Sequence, residues 1–154
     1  RCSRDWSSDV CSSDLAARMW IAYRTTGLAP DELVLRVRIP LREDRTVRFR
    51  KVGTRRAQAI SKVVLALAWE QAEARGRWSR VRVALGSVAD RPIRAQATEL
   101  FLEGSRGSLE TADGAADTLA AEIRPIDDVR SSADYRRMVA ARILHRMIRE
   151  AGGW

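Results

Sequence analysis

The stretch that decides the fold reads ISKVVLALAW and occupies residues 60–69. Its apolar side chains fall on both faces of an extended chain, which is typical of a strand buried on each side. The β-branched pair Val63 and Val64 favours the same structure. We therefore predict a central strand that is covered on both faces, with a buried helix as the alternative.

Three more stretches alternate between apolar and other residues with the period of a half-buried strand. The first is residues 32–39, the second is residues 47–52, which we expect to pair with the first as a hairpin, and the third is residues 81–85. Gly53 and Gly86 end the last two of these stretches. The sequence therefore predicts an antiparallel sheet of three to four strands with one buried face.

After Pro92 the apolar residues recur every three or four positions, which indicates helices. We predict three of them, over residues 93–103, 108–124 and 131–152. The third begins at Ser131, where Asp134 three residues later completes a start that is typical of a capping box. Strands followed by helices predict an α+β fold, with the sheet first and a three-helix cluster after it.

A chain of 154 residues, of which 45% are hydrophobic and 31% charged, has the size and balance of one packed globular domain. No apolar stretch approaches the roughly 20 residues that cross a bilayer, and no signal peptide opens the chain. We therefore expect a soluble, cytoplasmic protein that has no membrane partner.

The net charge of +8 raises the question of an anionic partner such as nucleic acid. Arginine supplies nearly all of the positive charge, because only Lys51 and Lys62 are lysines. The arginines are scattered along every element, whereas a nucleic-acid footprint concentrates on one face, so we expect no nucleic-acid partner. The rival hypothesis is a stand-alone basic α+β module whose sheet presents to an anion the side chains of Arg36, Arg38, Arg48, Arg50, Arg80 and Arg82.

Residues 1–15 read RCSRDWSSDVCSSDL and have neither helical nor strand periodicity. Their segment 9–15 looks like the translation of a sequencing-adapter oligonucleotide, so we interpret residues 1–15 as a disordered artefact. Cys2 and Cys11 both fall in it, at a spacing that is no recognised metal pattern and suggests no disulfide. Residues 16–154 are then one domain, which we interpret as the tail of a longer polypeptide.

Catalytic and metal-binding patterns are absent from the sequence, so we predict no catalytic and no metal-binding residue. His145, the single histidine, lies mid-helix with no second ligand type beside it, which indicates a helix-face residue. The adjacent carboxylates Asp127 and Asp128 precede a helix, where we expect them to cap it or to pair with Arg124 and Arg130. Neither the G-x-G-x-x-G nor the G-x-x-x-x-G-K-[ST] phosphate loop occurs.

One basic segment differs from the rest of the chain, residues 51–62, which read KVGTRRAQAISK. It leaves a strand, turns at Gly53, carries both lysines and enters the central strand at Ile60. Loops that a rigid sheet holds in place often carry binding groups. The residues alone leave two interpretations open, a binding loop and a solvated basic connection.

Four motifs, in chain order, carry a family resemblance. They are YRTTGLAPDELVLRVRIP at residues 23–40, FRKVGTRRAQAISKV at 49–63, ALGSVADRPIRA at 84–95 and IDDVRSSADYRR at 126–137. With them the chain resembles the C-terminal domain of the FAD-binding, or medium, subunit of molybdenum hydroxylases. These enzymes include xanthine dehydrogenases and aerobic carbon monoxide dehydrogenases. The resemblance covers essentially all of residues 16–151.

The resemblance implies a subunit of an oxidoreductase, with an antiparallel sheet followed by three helices. In this family electrons pass from molybdopterin through iron–sulfur clusters to FAD, and then to NAD or another acceptor. Molybdopterin belongs to a large partner subunit and the clusters belong to a small one. Most contacts to FAD belong to the domain that precedes this one, so the resemblance implies that this part alone is inactive.

The resemblance also implies four cofactor-binding residues. Lys51 matches the family lysine at a strand end near the flavin, and Ile60 matches the residue where the following loop rejoins the sheet. Val34 matches a flavin-side apolar position, and Arg24 matches an arginine of the Y-R-x-T stretch. A lysine there has a physical rationale, because a cation near a flavin stabilises the reduced, anionic forms of the ring.

The chain departs from the family pattern inside the basic loop. The animal enzymes carry acidic residues at the positions of Ala57, Gln58 and Ala59. The resemblance therefore does not extend the use of NAD to this loop.

Overall fold

The computed structural model describes residues 19–34, 36–37, 39, 41–55, 59–73 and 76–153. They belong to two compact units, Arg1–Leu41 and Arg42–Trp154. Residues 1–15, which we interpret as an artefact, lie outside the described residues, and both cysteines lie there with them. No helix within the described ranges has the length and the hydropathy that crossing a membrane requires.

The first unit contains a short hairpin that the sequence does not predict. Its strands β1 (Trp20–Ala22) and β2 (Thr25–Thr26) pair antiparallel, and the turn between them passes through Arg24 at a φ of 57°. The Arg24 guanidinium lies over the Tyr23 ring, 5.2 Å from its centroid. This cation–π contact holds the Arg24 side chain beside its own turn.

The strand predicted over residues 32–39 is wrong wherever the structure describes that segment. None of its described residues joins a strand, and its alternating apolar side chains are exposed, at 74% for Leu33 and Ile39 and 75% for Val37. Residues 47–52, its expected hairpin partner, pair with residues 63–68 instead. An alternating segment needs a neighbouring strand to become one, and the described part of the chain supplies none here.

The second unit contains a four-stranded antiparallel sheet in which each strand pairs with the next one along the chain. Its strands are β3 (Arg45–Gly53), β4 (Ser61–Glu70), β5 (Ser79–Gly86) and β6 (Ile93–Arg94). The predicted antiparallel succession of residues 47–52, 60–69 and 81–85 is confirmed, without the strand expected before it, and the stretch that decides the fold is a strand rather than a helix. The sequence does not predict β6, which occupies the start of the first expected helix and pairs with Ala84 and Leu85.

Three helices follow the sheet, α1 (Gln96–Leu102), α2 (Leu109–Glu122) and α3 (Ala133–Gly152). Ser108 caps α2 and Ser132 caps α3, because each serine hydroxyl accepts the backbone N–H three residues ahead. The second cap lies one residue after the predicted Ser131. Gly153 ends α3 in the left-handed conformation, at a φ of 80° that glycine adopts readily. The α+β class and the three-helix cluster are confirmed.

The core lies between the helices and one face of the sheet. That face carries side chains of β4 and β5 that are at most 2% exposed, namely Val63, Leu65, Leu67, Val81, Val83 and Leu85. They pack in one cluster with buried helix residues that include Leu102, Leu119 and Leu144. Trp69 and Trp78 stack in the same cluster, with ring centroids 4.6 Å apart. Burial of this apolar surface is the main stabilising term of the unit.

The opposite face of the sheet carries no helix in the described part of the unit. The register places Phe49 opposite Ala66 and Lys51 opposite Val64 on this face. Phe49 is 65% exposed, and Val64 and Ala66 are only partly buried. The expectation that β4 is covered on both faces is therefore wrong. The helices all pack on the other face, and this one exposes a mixture of small, apolar and cationic side chains.

The carboxylates of Glu99 in α1 and of Glu103 directly after it take the place of a neighbouring strand along part of β5. Because β6 pairs with only the end of β5, the rest of that edge needs other acceptors for its N–H groups. The Glu99 carboxylate accepts the Val83 N–H at 3.0 Å. The Glu103 carboxylate accepts the N–H groups of Arg80 and Val81 at 2.8 and 3.0 Å. The helix is thereby fixed to the sheet by hydrogen bonds as well as by packing.

Candidate functional site

Lys51 lies near the end of β3, on the sheet face that carries no described helix. Its register partner on β4 is Val64, and its side chain is exposed. Two residues later the register shifts at Gly53, where an added β-carbon would lie 3.1 Å from the Ala59 β-carbon. The two ends of the loop thus approach closely at a glycine, and Lys51 lies two residues before this point.

Ile60 lies at the other end of the same loop, directly before β4, and is 69% exposed. It lines an open cavity of about 410 Å³ together with Thr54, Arg55, Ala59, Lys62 and Arg130. Lys51, three residues before Thr54, is outside this lining. The structure therefore brings Ile60 together with basic residues at one cavity and places Lys51 on the strand that leads into the loop.

The other two predicted cofactor residues belong to the first compact unit. Arg24 forms the turn of the β1–β2 hairpin, and Val34 is 47% exposed. Of the four predicted residues, Lys51 in β3 and Ile60 in the connection that follows thus belong to the second unit, and Arg24 and Val34 belong to the first.

Arg136, on the first turn of α3, is buried, with 4% of its surface exposed, and the sequence alone does not predict its role. Its Nη1 donates to the Ser87 carbonyl at 3.0 Å, and its Nη2 donates to the Asp128 carboxylate. The Ser87 hydroxyl lies 2.8 Å from the Ser61 hydroxyl at the start of β4. Arg136 thus connects α3 to the residue that follows β5, and the hydroxyl of that residue contacts the start of β4. Helical periodicity is the signal that could have found it, because it lies four residues before the buried Ala140.

The two adjacent carboxylates ahead of α3 cap and pair, as the sequence predicts. Asp127 Oδ1 accepts the first backbone N–H of α3 at 2.6 Å, and Asp128 Oδ2 lies 3.4 Å from the Arg130 Nε. The predicted pairing with Arg124 is wrong, because its guanidinium donates instead to the Ile123 carbonyl at 3.1 Å. The backbone next to Arg124 is within easier reach than either carboxylate.

The pKa of the Asp128 carboxyl lies below its ordinary value. The hydrogen bond from Arg136 is the main cause, and the backbone N–H groups of Arg130 and Ser131 add to it, whereas burial acts in the opposite direction. Asp128 is therefore ionised at neutral pH. A carboxylate in this state holds structure and does not donate a proton, in agreement with the predicted structural role.

His145 lies on the surface of α3, as predicted for a helix-face histidine. Its Nε2 is 3.0 Å from Asp113 Oδ1 on α2, and the two side chains are 27% and 64% exposed. The contact joins two helices at the surface. Among the residues that the structure describes, no group of three or more His, Cys, Asp or Glu side chains is arranged to hold a metal ion.

The arginines of the sheet are divided between its two faces. Arg48 and Arg50 lie opposite core leucines of β4 and so belong to the helix side of the sheet. Arg82 lies opposite Ala68 and belongs to the other side. Arg36 is in the first unit, and Arg38 lies outside the described residues. The single cationic face that the rival hypothesis needs is therefore not formed by these three strand residues.

The chain is similar to known proteins along most of its length. The family described as CO dehydrogenase flavoprotein C-terminal domain matches residues 48–151. The nicotine 6-hydroxylase medium subunit of Paenarthrobacter nicotinovorans is 31% identical over 134 residues, which are 87% of this chain and 46% of that subunit. The chain therefore spans about half the length of this curated relative.

Solved structures share the fold. Quinoline 2-oxidoreductase from Pseudomonas putida 86 superposes with a TM-score of 0.78 and 28% identity, over 90% of this chain and 47% of that one. A carbon monoxide dehydrogenase from Hydrogenophaga pseudoflava, which lacks the Mo-pyranopterin moiety of its molybdenum cofactor, superposes with a TM-score of 0.76 and 26% identity. That match covers 85% of this chain and 45% of the other. In both cases the similarity is to about half of a larger chain.

Proposed function

Since this chain belongs to the CO dehydrogenase flavoprotein C-terminal domain family, we propose that it works as one part of the FAD-binding subunit of a xanthine dehydrogenase-type molybdenum hydroxylase. When bound, FAD supplies electron transfer between iron–sulfur clusters and NAD or another acceptor. The partners in this proposal are a molybdenum-binding large subunit and an iron–sulfur small subunit, and its location is the cytoplasm. The similarity to the medium subunit of nicotine 6-hydroxylase supports it.

The observation that carries the proposal is the loop between β3 and β4. Lys51, in the strand that leads into this loop, exposes a cation, and Ile60, at the far end of the loop, exposes an apolar side chain. A cation and an apolar side chain suit one edge of a flavin ring, and the family resemblance supports the assignment of both residues to it; no glycine-rich phosphate loop occurs in the sequence. The family resemblance is the support for assigning Arg24 and Val34 to the same cofactor.

Lys51 and Ile60 have different roles in this proposal because their side chains differ in chemistry. A fixed positive charge at Lys51 favours the negative charge that a flavin ring gains on reduction. Ile60 offers apolar contact and excludes water from the same edge. The backbone of Lys51 is fixed by its pairing with Val64 in the sheet, which lowers the ordering that cofactor binding requires at this residue.

Replacing Lys51 with methionine in the assembled enzyme is expected to lower the reduction potential of the flavin. Methionine keeps much of the side-chain length but removes the charge. The stabilisation of the reduced flavin relative to the oxidised flavin should therefore fall by about 1 kcal/mol, which is roughly a fivefold change in the equilibrium constant. Potentiometric titration of the flavin measures the shift. Reoxidation by the acceptor should be slower, and reduction at molybdenum should be unchanged.

The matched control for this experiment is Arg142→Met, which removes an exposed cation from α3 on the helix side of the sheet. Its flavin potential should equal that of the parent enzyme. If Lys51→Met also keeps the parent potential and acceptor turnover, while Lys51→Ala only lowers the melting temperature, Lys51 is structural and the flavin assignment is wrong.

This chain by itself is expected to fold but to bind FAD weakly or not at all. Its loop offers contacts to one edge of the ring, and the chain matches only 46% of a relative that is a medium subunit. The purified protein should be colourless, and incubation with FAD followed by gel filtration should leave it so. Recovery of a yellow protein with stoichiometric FAD would overturn this division between the two parts of the subunit.

A further inference from the structure

Strand β3 forms one edge of the four-stranded sheet. It stands at the end of the strand order, and within the described residues it pairs with β4 alone. The strand is nine residues long, Arg45–Gly53. Every second residue of an edge strand turns its backbone N–H and C=O groups away from the sheet. This edge therefore offers a row of hydrogen-bonding groups to a further extended segment.

The side chains in the middle of β3 differ between its two faces. Val47 and Phe49 lie on the face without a described helix, and both are exposed. Arg48 and Arg50 lie on the helix side, where Arg48 is half-exposed and Arg50 is exposed. A strand added at this edge must match these neighbours on each face. It would carry acidic residues on one face and apolar residues on the other, which is an alternation of the two types along its sequence.

The two arginines of β3 belong to a cationic cluster that also includes Arg146 of α3. Glu150 is the one carboxylate in the described ion pairs of this cluster: it accepts from Arg146 Nε at 2.7 Å and lies 3.8 Å from Arg48 Nη1. The pKa of the Glu150 carboxyl is below its ordinary value, mainly because Arg146 donates this hydrogen bond, although burial acts in the opposite direction. The positive charges of Arg50 and Arg48 lower it further. Three arginines thus share one negative charge, which leaves an excess of positive charge beside the strand edge.

We propose that the edge of β3 binds an acidic, extended segment of another polypeptide by strand addition. The backbone of β3 supplies the hydrogen bonds, and Arg48 and Arg50 pair with acidic side chains of the added strand. Val47 and Phe49 contact the apolar side chains that alternate with them. A second copy of β3 suits the edge less well, because the arginines of the two copies would face each other. None of these four residues is assigned to FAD, so this surface is independent of the flavin assignment.

Fluorescence anisotropy of a labelled peptide tests this surface. The peptide is short, is capped at both ends and alternates glutamate with valine. The parent chain should bind it, and Arg50→Glu should weaken binding about fivefold or more, because it replaces an attraction with a repulsion. Arg82→Glu is the control: it reverses an exposed charge of β5 on the other face of the sheet and should bind as the parent does. Circular dichroism checks that the variants are folded, and Arg50→Gln, which only removes the charge, carries the test if Arg50→Glu is not.

Two N-methylated forms of the peptide separate strand addition from attraction between charges alone. One is methylated at its valine nitrogens and the other at its glutamate nitrogens, so each form blocks the N–H groups along one edge of the added strand. One form should lose binding and the other should keep it. Equal binding by both forms, parent-like binding by Arg50→Glu, or no binding of the unmodified peptide by the parent would overturn the proposal. A dimer of the parent that Phe49→Glu dissociates would also overturn it, because a second copy would then occupy the edge.

Discussion

Replacing Glu99 with alanine is expected to destabilise the second unit by about 3 kcal/mol. Glu99 is 7% exposed, and its carboxylate accepts the Val83 N–H at 3.0 Å and two N–H groups of Arg94, one of them at 2.9 Å. Alanine leaves the Val83 donor buried without a partner, which costs about 1–3 kcal/mol by itself. The Arg94 side chain is 46% exposed, so water replaces part of that interaction and its share is smaller.

Urea unfolding followed by circular dichroism measures this loss, and the slope against urea concentration should stay unchanged. Glu99→Gln keeps an acceptor for the Val83 N–H and removes the charge, so about half of the loss is expected. Asp117→Ala, on the exposed side of α2, is the control and should stay within about 0.5 kcal/mol of the parent. A parent-like midpoint for Glu99→Ala would show that the carboxylate does not stabilise the edge of β5.

Sequence patterns predict the elements whose partners are close along the chain. Strands β3, β4 and β5 each pair with the next strand, so the alternation of β3 and β5, the glycines at their ends and the apolar run of β4 are sufficient to predict them. Residues 32–39 alternate equally well, but alternation shows only that one face of a strand could be buried. It does not show that a second strand is present to pair with it. The sequence does not predict β6 because two residues are too few to form a pattern. Their pairing with β5 makes them a strand.

The residues of the candidate site also fall into two groups, those placed by local sequence and those placed by distant partners. Lys51 and Ile60 could be placed at the two ends of one loop because that loop is local. The partners of Glu99 and Arg136 could not be predicted, since the Val83 N–H and the Ser87 carbonyl are 16 and 49 residues away. A charged residue on a buried helix stripe indicates that a partner exists, but tertiary packing decides which group it is.

A second large loss is expected when Arg136 is replaced with alanine, again about 3 kcal/mol. The guanidinium is 4% exposed, and its removal breaks the hydrogen bonds to Ser87 and Asp128 and leaves a cavity below α3. Arg136→Lys keeps the charge but reaches one partner at a time, so an intermediate loss is expected. Arg142→Ala, an exposed arginine of the same helix, should change the free energy of unfolding by about 0.5 kcal/mol or less.

The loss in free energy of unfolding that Arg136→Ala causes is expected to become smaller as the pH falls. In the parent, the hydrogen bond from Arg136 lowers the pKa of Asp128 below its ordinary value of 3.8. The ionised carboxylate therefore adds stability above that value, and this addition is lost as the pH falls through the lower pKa of the folded state. Urea unfolding of both proteins should show the largest difference at neutral pH and a smaller one in acid. In an Asp128→Asn background the difference should no longer depend on pH; a dependence that persists there would assign the titration to another group.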